Sequence, residues 1–276
     1  MTETQNKPLV DVCSLSVHFG PVSDPVRAVD GVDFQIFLGE IVALVGESGS
    51  GKSISALALA RLVPEPAGRT VGGKIFFQGM DVSTLKSSEL RNLRGARIAY
   101  IFQEPATSLN PVFTVGWQIG EAIRLHRKGV KVKTEVEKLL ADVGLSDPAR
   151  TAKAYPHELS GGMQQRAMIA MALACNPDLL VADEPTTALD VTVQKQILDL
   201  LVDLRKTRGL SILLITHNLG IVAHVADRVY VMNNGKIVES GETKSVLRTP
   251  QHDYTKKLLK AVPRLHGLNR QGAKDV

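Results

Sequence analysis

Gly46-Glu47-Ser48-Gly49-Ser50-Gly51-Lys52-Ser53 is the stretch whose reading decides the fold. An apolar run, Ile41-Val42-Ala43-Leu44-Val45, enters it as a strand, and a helix-forming run from Ile54 to Leu62 leaves it. Gly46, Gly49 and Gly51 let the backbone curl with its N–H groups pointing inward. The helix that follows adds a partial positive charge of about half a unit at its first turn. Such a nest suits a polyphosphate, with Lys52 reaching the β- and γ-phosphates and the Ser53 hydroxyl on Mg²⁺. A glycine-rich turn with an incidental lysine is the competing reading, but it does not require a strand before and a helix after.

Outward from the loop, residues 1–8 are polar and expected to be loose. Leu9 to Phe19 reads as a strand, Gly20 to Pro25 breaks it, and Ala28 to Phe37 reads as a second, so a small antiparallel sheet leads into the loop. Beyond it, Pro64 to Gly68 is a loop, Gly73 to Phe77 a strand and Gln78-Gly79 a turn. Ser87 or Ser88 is expected to cap a helix through Leu93, and Arg97 to Phe102 reads as a buried strand ending on Gln103. From Pro105 to about His157 the pattern turns helical: Val115 to Leu125 is one run. Thr134-Glu135-Val136-Glu137 opens another with capping-box spacing and a face of Val136, Leu139, Leu140 and Val143. Asp147-Pro148 and Tyr155-Pro156 punctuate its end. Further on come the strand Leu179 to Ala182, a helix carrying Val193, Ile197, Leu200, Leu201 and Leu204, the strand Ser211 to Thr216, and a hairpin turning at Asn233-Asn234-Gly235. Apolar strands alternating with helices predict an α/β fold with a mainly parallel sheet covered on both faces.

The bounds set by composition agree. The 276 residues, 44% of them hydrophobic, suffice for a sizeable core in one or two domains. No apolar run approaches the ~20 residues of a membrane-spanning helix, and the N-terminus lacks a signal peptide's apolar centre, so a cytoplasmic protein is expected. The two cysteines, Cys13 and Cys175, lack metal-ligand or disulfide spacing and read as small buried hydrophobes. A net charge of +5 allows anionic ligands, but with aromatics at 4% and no block of like charge, nucleic acid is not expected as a partner.

Four polar groups fall at the carboxyl ends of predicted strands, where open α/β sheets bind ligands: the loop, Gln103, the pair Asp183-Glu184, and His217. A strand ending in two carboxylates offers one to hold Mg²⁺ through its water shell and one to take a proton from attacking water. A solvated edge or a helix cap would also account for the pair taken alone. Phe19 has two readings as well, core or a flat apolar face for a purine.

Leu159-Ser160-Gly161-Gly162-Met163-Gln164-Gln165-Arg166 is a second anion nest, with Ser160 and the Gly161 and Gly162 amides at a helix N-terminus. It lies too far along the chain to serve the same nucleotide easily. This stretch resembles the signature of the ATP-binding cassette (ABC) superfamily, and residues from about Leu9 to Gly241 follow that family's order. The resemblance implies a P-loop NTPase core with a small antiparallel β subdomain and an inserted helical subdomain, and an ATPase using ATP and Mg²⁺. Two such cassettes would pair head to tail, so that the signature of one closes on ATP held by the other. By that resemblance Phe19 stacks on adenine, the loop from Gly46 to Ser53 cradles the phosphates, and Ser53, Gln103 and, through water, Asp183 serve Mg²⁺. Glu184 becomes the general base, His217 holds the γ-phosphate and the water, and Asp190 of Ala188-Leu189-Asp190 shapes the pair contact.

Narrower features are similar to bacterial peptide and nickel importers: Gln103 to Pro111 with Thr114-Val115-Gly116 and Gln118-Ile119, Tyr155 to Glu158, and Thr249 to Leu259. They imply residues 1–248 as the nucleotide-binding domain, with the helical insert at about 104–162, and residues 249–276 as a C-terminal extension. The implied partners are a second cassette, identical or a paralogue, two integral membrane permeases and, indirectly, a periplasmic solute-binding protein. The implied place is the cytoplasmic face of the inner membrane, and the implied cargo is a di- or oligopeptide, with nickel or another small solute as the alternative. A soluble ABC ATPase acting on nucleic acid or ribosomes is a further alternative, and a nucleotide-binding subunit that does not hydrolyse another. Many relatives carry a cysteine-bearing segment for an iron–sulfur cluster after this point; no cysteine follows here, so no cluster is expected. The run from Tyr254 to Val262 is expected to pack on the domain as a short helix with a solvated basic face, a membrane surface being the other option, and no activity is assigned to it.

Overall fold

All five residues of Ile41–Val45 are buried, and so are all six of Ser211–Thr216. Uninterrupted burial of that kind belongs to the middle of a sheet covered on both faces. A computed structural model of the chain describes residues 7–103, 108–187 and 189–261. From the N-terminus, β1 (Val10–Phe19), β2 (Val26–Ile36) and β3 (Ile41–Val45) precede the phosphate loop and α1 (Lys52–Ala58). Then follow β4 (Gly68–Phe77), β5 (Met80–Asp81), α2 (Ser87–Leu93), β6 (Ile98–Ile101), α3 (Val115–His126), α4 (Val132–Asp142), α5 (Pro148–Lys153) and α6 (Gly161–Ala172). The chain continues through β7 (Leu179–Asp183), α7 (Val191–Arg208), β8 (Ser211–Thr216), α8 (Leu219–Val225), β9 (Arg228–Asn233), β10 (Lys236–Glu242), α9 (Thr243–Arg248) and α10 (Asp253–Ala261).

Six strands make the central sheet in the order β10-β9-β3-β8-β7-β6. All its pairings are parallel except that of the edge strand β10. The register sets Val45 beside Thr216, Asp183 beside Ile215 and Ile101 beside Ala182. One row of carboxyl ends therefore carries the phosphate loop, Glu184, His217 and Gln103. A second, antiparallel sheet of order β2-β1-β4-β5 packs with α1 against Val42, Leu44, Val181 and Leu213 on one face. Opposite, Ile41, Leu180 and Ile212 meet the apolar sides of α3, α4, α6 and α7, including Ile123, Val136, Leu140 and Ile197. Ala43 and Val45 share a smaller cluster with β9, α8, α9 and the tail helix.

Several local expectations are corrected. Helix α1 begins at Lys52 and stops at Ala58, short of Leu62: Arg61 turns left-handed at φ 53°, and Arg94 donates to the freed Ala60 and Arg61 carbonyls. Strand β4 starts at Gly68, because β1 runs on to Phe19 and pairs with it there. Neither Ser87 nor Ser88 caps α2; the cap position is Lys86, whose N–H the Glu89 carboxylate accepts at 2.7 Å. Helix α4 opens at Val132 with Lys131 before it, so Thr134 falls inside the first turn and forms no capping box with Glu137, while Glu135 pairs with Arg127 at 2.8 Å. Near the end of the insert Asp147-Pro148 opens a further short helix: the aspartate accepts the Arg150 N–H at 3.0 Å and proline holds the first helical position.

The tail packs as expected, with Leu258 and Leu259 on the third cluster and Lys256, Lys257 and Lys260 exposed. No helix among the described residues is long and apolar enough to cross a membrane. Residues 1–6 of the loose start, Glu104 to Thr107 after Gln103, Ala188, Val262 and the rest of the extension lie outside the described residues.

Because Leu140 is fully buried where α4 meets the sheet's helical face, truncation there leaves a cavity. Leu140→Ala should lower stability by about 2–5 kcal/mol, read as a lower denaturant midpoint with unchanged slope.

Candidate active site

The loop takes its path because it runs hard against neighbouring backbone. A Cβ on Gly46 would come within 2.1 Å of the Met232 carbonyl oxygen, and one on Gly51, at φ 102°, within 2.2 Å of that of Ala28. No other residue fits at either position. From β10's side, the Gly235 N–H donates to the Ser50 carbonyl at 3.0 Å and ties the hairpin turn to the loop. Lys52, only 6% exposed, folds back so that its ammonium donates to the Gly46 and Glu47 carbonyls at 2.8 and 2.7 Å and to Ser50 Oγ at 3.3 Å. Burial lowers its pKa, while Glu184, Asp183 and Glu47 pull the other way. The result is a buried cation satisfied by weak neutral acceptors, ready to exchange them for phosphate oxygens.

Opposite stand the two carboxylates at the end of β7. Burial raises the Asp183 pKa, with the Ser53 hydroxyl, hydrogen-bonded to it, acting against the rise. Glu184 behaves otherwise. Burial works against its charge, but hydrogen bonds from His217 and Thr187 outweigh it and hold the carboxyl below its usual value. His217 Nδ1 lies 2.9 Å from Oε1, while Gln103 Nε2 and Thr187 Oγ1 donate to Oε2 at 3.2 and 2.9 Å. The residue sits at φ 46°, a conformation costing ~1–3 kcal/mol that its surroundings must hold, and its N–H is fixed to the Ile215 carbonyl at 2.9 Å. An ionised, aimed and strained carboxylate in a cleft is suited to accept a proton.

These groups line one open cleft of about 610 Å³, together with Ser48, Gly49, Gly51 and Phe19. Phe19 ends β1, packs in part on the core and lines the cleft. Gly46, Glu47 and Ser50 lie behind it as the wall that Lys52 grips. Among the described residues no group of three or more His, Cys, Asp and Glu could by itself cage a metal. The Ser53–Asp183 pair of oxygen donors fits Mg²⁺, which keeps waters and arrives with phosphate ligands.

The signature is built separately. Ser160 Oγ accepts the Met163 N–H at 3.4 Å and opens α6, with exposed Gly161 and half-buried Gly162 in the first turn. Asp190 does the same for α7, accepting from Thr192 and Val193 at 3.0 and 2.9 Å. Ser160, Gly161, Gly162 and Asp190 do not line the cleft that holds Lys52. Sequence reasoning missed Thr187, Gln164 and Tyr254. Thr187 had a signal, a hydroxyl three residues after the glutamate. Gln164 caps the segment entering the signature, donating to the Pro156 and Leu159 carbonyls at 2.9 and 3.2 Å. Tyr254 reaches the loop from the far end of the chain, which no local pattern announces.

Residues 29–187 match the family model of the ABC transporter, and residues 238–275 that of the oligopeptide/dipeptide transporter C-terminal region. The dipeptide transport ATP-binding protein DppD of Escherichia coli is 51% identical over 92% of this chain and 78% of its own length. The peptidoglycan transport ATP-binding protein YejF of Agrobacterium fabrum is 54% identical over 96% of the chain, which spans about half (49%) of that relative. Among solved structures, the dimeric post-hydrolysis state of the ATP-binding cassette MJ0796 bound to ADP and Pi superposes with a TM-score of 0.75 at 26% identity, covering 85% of this chain and 98% of that one. With a phosphate loop facing an ionised glutamate across one cleft, and relatives at half identity over nearly its whole length, the chain belongs to the ABC transporter family as one of its ATPase cassettes.

Proposed function

We propose that this chain energises a bacterial importer of di- or oligopeptides by hydrolysing ATP between two paired cassettes at the cytoplasmic face of the inner membrane. The observation that carries the reading is the glutamate opposite the loop: Glu184 is ionised and held by His217, Gln103 and Thr187. The peptide assignment is supported by the oligopeptide/dipeptide transporter model over residues 238–275 and by DppD. Residues 1–248 form the nucleotide-binding domain, with the helical insert at about 104–162, and residues 249–276 its extension. The membrane partners are two permeases, reached by Gln103 and the insert, with a periplasmic binding protein delivering cargo to them.

In this reading Phe19 takes the adenine and the amides from Gly46 to Ser53 take the phosphates. Lys52 leaves the loop carbonyls for the β- and γ-phosphates. Ser53, Gln103 and, through water, Asp183 would hold Mg²⁺, which would supply charge neutralisation at the phosphate oxygens. Glu184 accepts the proton of the attacking water and His217 orients that water against the γ-phosphate.

The second wall comes from a paired cassette. Gly161 is exposed, and a Cβ there would meet only Leu189 Cδ2 at 3.6 Å, an ordinary contact. Among the described residues nothing requires glycine at that position. An incoming phosphate approaching the Ser160, Gly161 and Gly162 turn from outside does. Asp190, exposed at the start of α7, borders the same face.

Glu184→Gln should keep ATP affinity while turnover falls about 10² to 10⁴-fold. Cells lacking the gene should lose uptake of labelled dipeptide and regain it with wild type but not with this variant. Lys52→Ala should weaken MgATP binding by about 10- to 100-fold, the worth of a charge-assisted contact, in a direct titration. Ser160→Arg should bind nucleotide as wild type does yet stay monomeric with MgATP in light scattering, and a dimer there would remove the trans arrangement.

A further inference from the structure

The C-terminal helix makes one contact that the ATPase reading leaves unused. The Tyr254 hydroxyl accepts the Glu47 N–H at 3.0 Å, across 207 positions of sequence. Glu47 is the second residue of the phosphate loop, and its carbonyl accepts the Lys52 ammonium at 2.7 Å and the Ser50 N–H at 3.2 Å. Both peptide groups of Glu47 are thus gripped, its carbonyl by the cation and its N–H by a tail hydroxyl.

The tyrosine is itself firmly placed. Its ring packs with Leu258 and Leu259 on the cluster of Val45, Val229 and Val231, and Val45 is the residue directly before the loop. The entry to α10 is pinned to β10, where the Glu239 carboxylate accepts the Gln251 and His252 N–H groups at 2.7 and 3.1 Å. Burial pushes the phenol pKa up, so the hydroxyl keeps its proton at neutral pH.

We infer that Tyr254 is a positioning residue of the nucleotide site: its hydroxyl holds the Glu47 peptide in the curl that accepts phosphate, making the C-terminal helix part of the phosphate-binding apparatus. This rests on the ATPase reading above. When Lys52 turns to the nucleotide it lets go of the Gly46 and Glu47 carbonyls and Ser50 Oγ. Among the ties that remain, Tyr254 on Glu47 and Gly235 on Ser50 are the ones that reach the loop from distant parts of the chain. A loop without the first would spend less of its time in the competent curl, and apparent affinity falls by that fraction. Turnover at saturation is spared, because Tyr254 does not line the cleft that holds Glu184.

The test uses the full chain and Tyr254→Phe, which keeps the ring in its cluster and removes only the oxygen. The dissociation constant for MgATP should rise about three- to tenfold, the span of one net hydrogen bond, with turnover at saturating MgATP within twofold of wild type. In the nucleotide-free protein, hydrogen exchange at the Glu47 amide should quicken in the variant. Unchanged MgATP affinity in Tyr254→Phe, beside a Tyr254→Ala variant that only melts earlier, would reduce the tyrosine to packing and overturn the inference alone. A wild-type chain that binds no MgATP would overturn the ATPase reading and this inference with it.

Discussion

Parallel pairing in one register is the constraint on which the site depends. Val45, Asp183 and Thr216 stop within a residue of one another across adjacent strands, and Ile101 stops beside Ala182. The groups that follow are delivered to one edge without any side chain having to search for it. A slip of one residue in a parallel pair would turn the buried runs of β3 and β8 by one face and separate the loop from Glu184. The interior enforces the register, since Val42, Leu44, Leu213 and Ile215 fill one cluster while Ile41 and Ile212 fill another. Core packing and catalytic geometry are therefore one specification.

Electrostatics then divides two neighbouring carboxylates between two tasks. Burial raises the Asp183 pKa, and the Ser53 hydroxyl bound to it faces the loop; Glu184, despite its burial, is held low by hydrogen bonds from His217 and Thr187. Adjacent acids whose surroundings push them in opposite directions are the usual sign of separate roles. Lys52 sits between these influences, its pKa lowered by burial while both acids act against the fall. Its present partners are carbonyls, so an arriving phosphate exchanges neutral acceptors for charged ones.

The α/β class, the parallel order and the cleft side chains were legible in sequence because each rests on a local signal: an apolar run, a glycine spacing, a polar group at a strand's end. Cap positions were less so. Thr134 and Glu137 carry the right spacing, yet the helix has already begun at Val132, two residues earlier, and spacing cannot reveal that start. Helix α1 is shorter than its apolar run because Arg94, thirty-odd positions on, takes the carbonyls that would have continued it. Thr187 was within reach of a reader who asked what could hold the Glu184 carboxylate. Tyr254 was not, since the contact exists only once α10 has docked beside Val45.

How binding at this edge could drive anything follows from where the loop is fastened. One side is tied to the β9–β10 turn through Gly235, another to the tail through Tyr254, and its own cation bridges the remainder. In the proposed exchange Lys52 would give up only the last of these, the ties through Gly235 and Tyr254 staying in place. In the proposed pair, the signature at Ser160 opens α6, which packs through Ala167, Met168 and Ile169 on the helical face of the sheet, so closing it over a phosphate would act on that face. A ligand shifts such an equilibrium only by what it gains in the closed form over the open one. The γ-phosphate is the group that both halves would touch, and its loss on hydrolysis removes that difference. In that proposal, opening after hydrolysis follows from the row of strand ends and the turn at exposed Ser160 and Gly161.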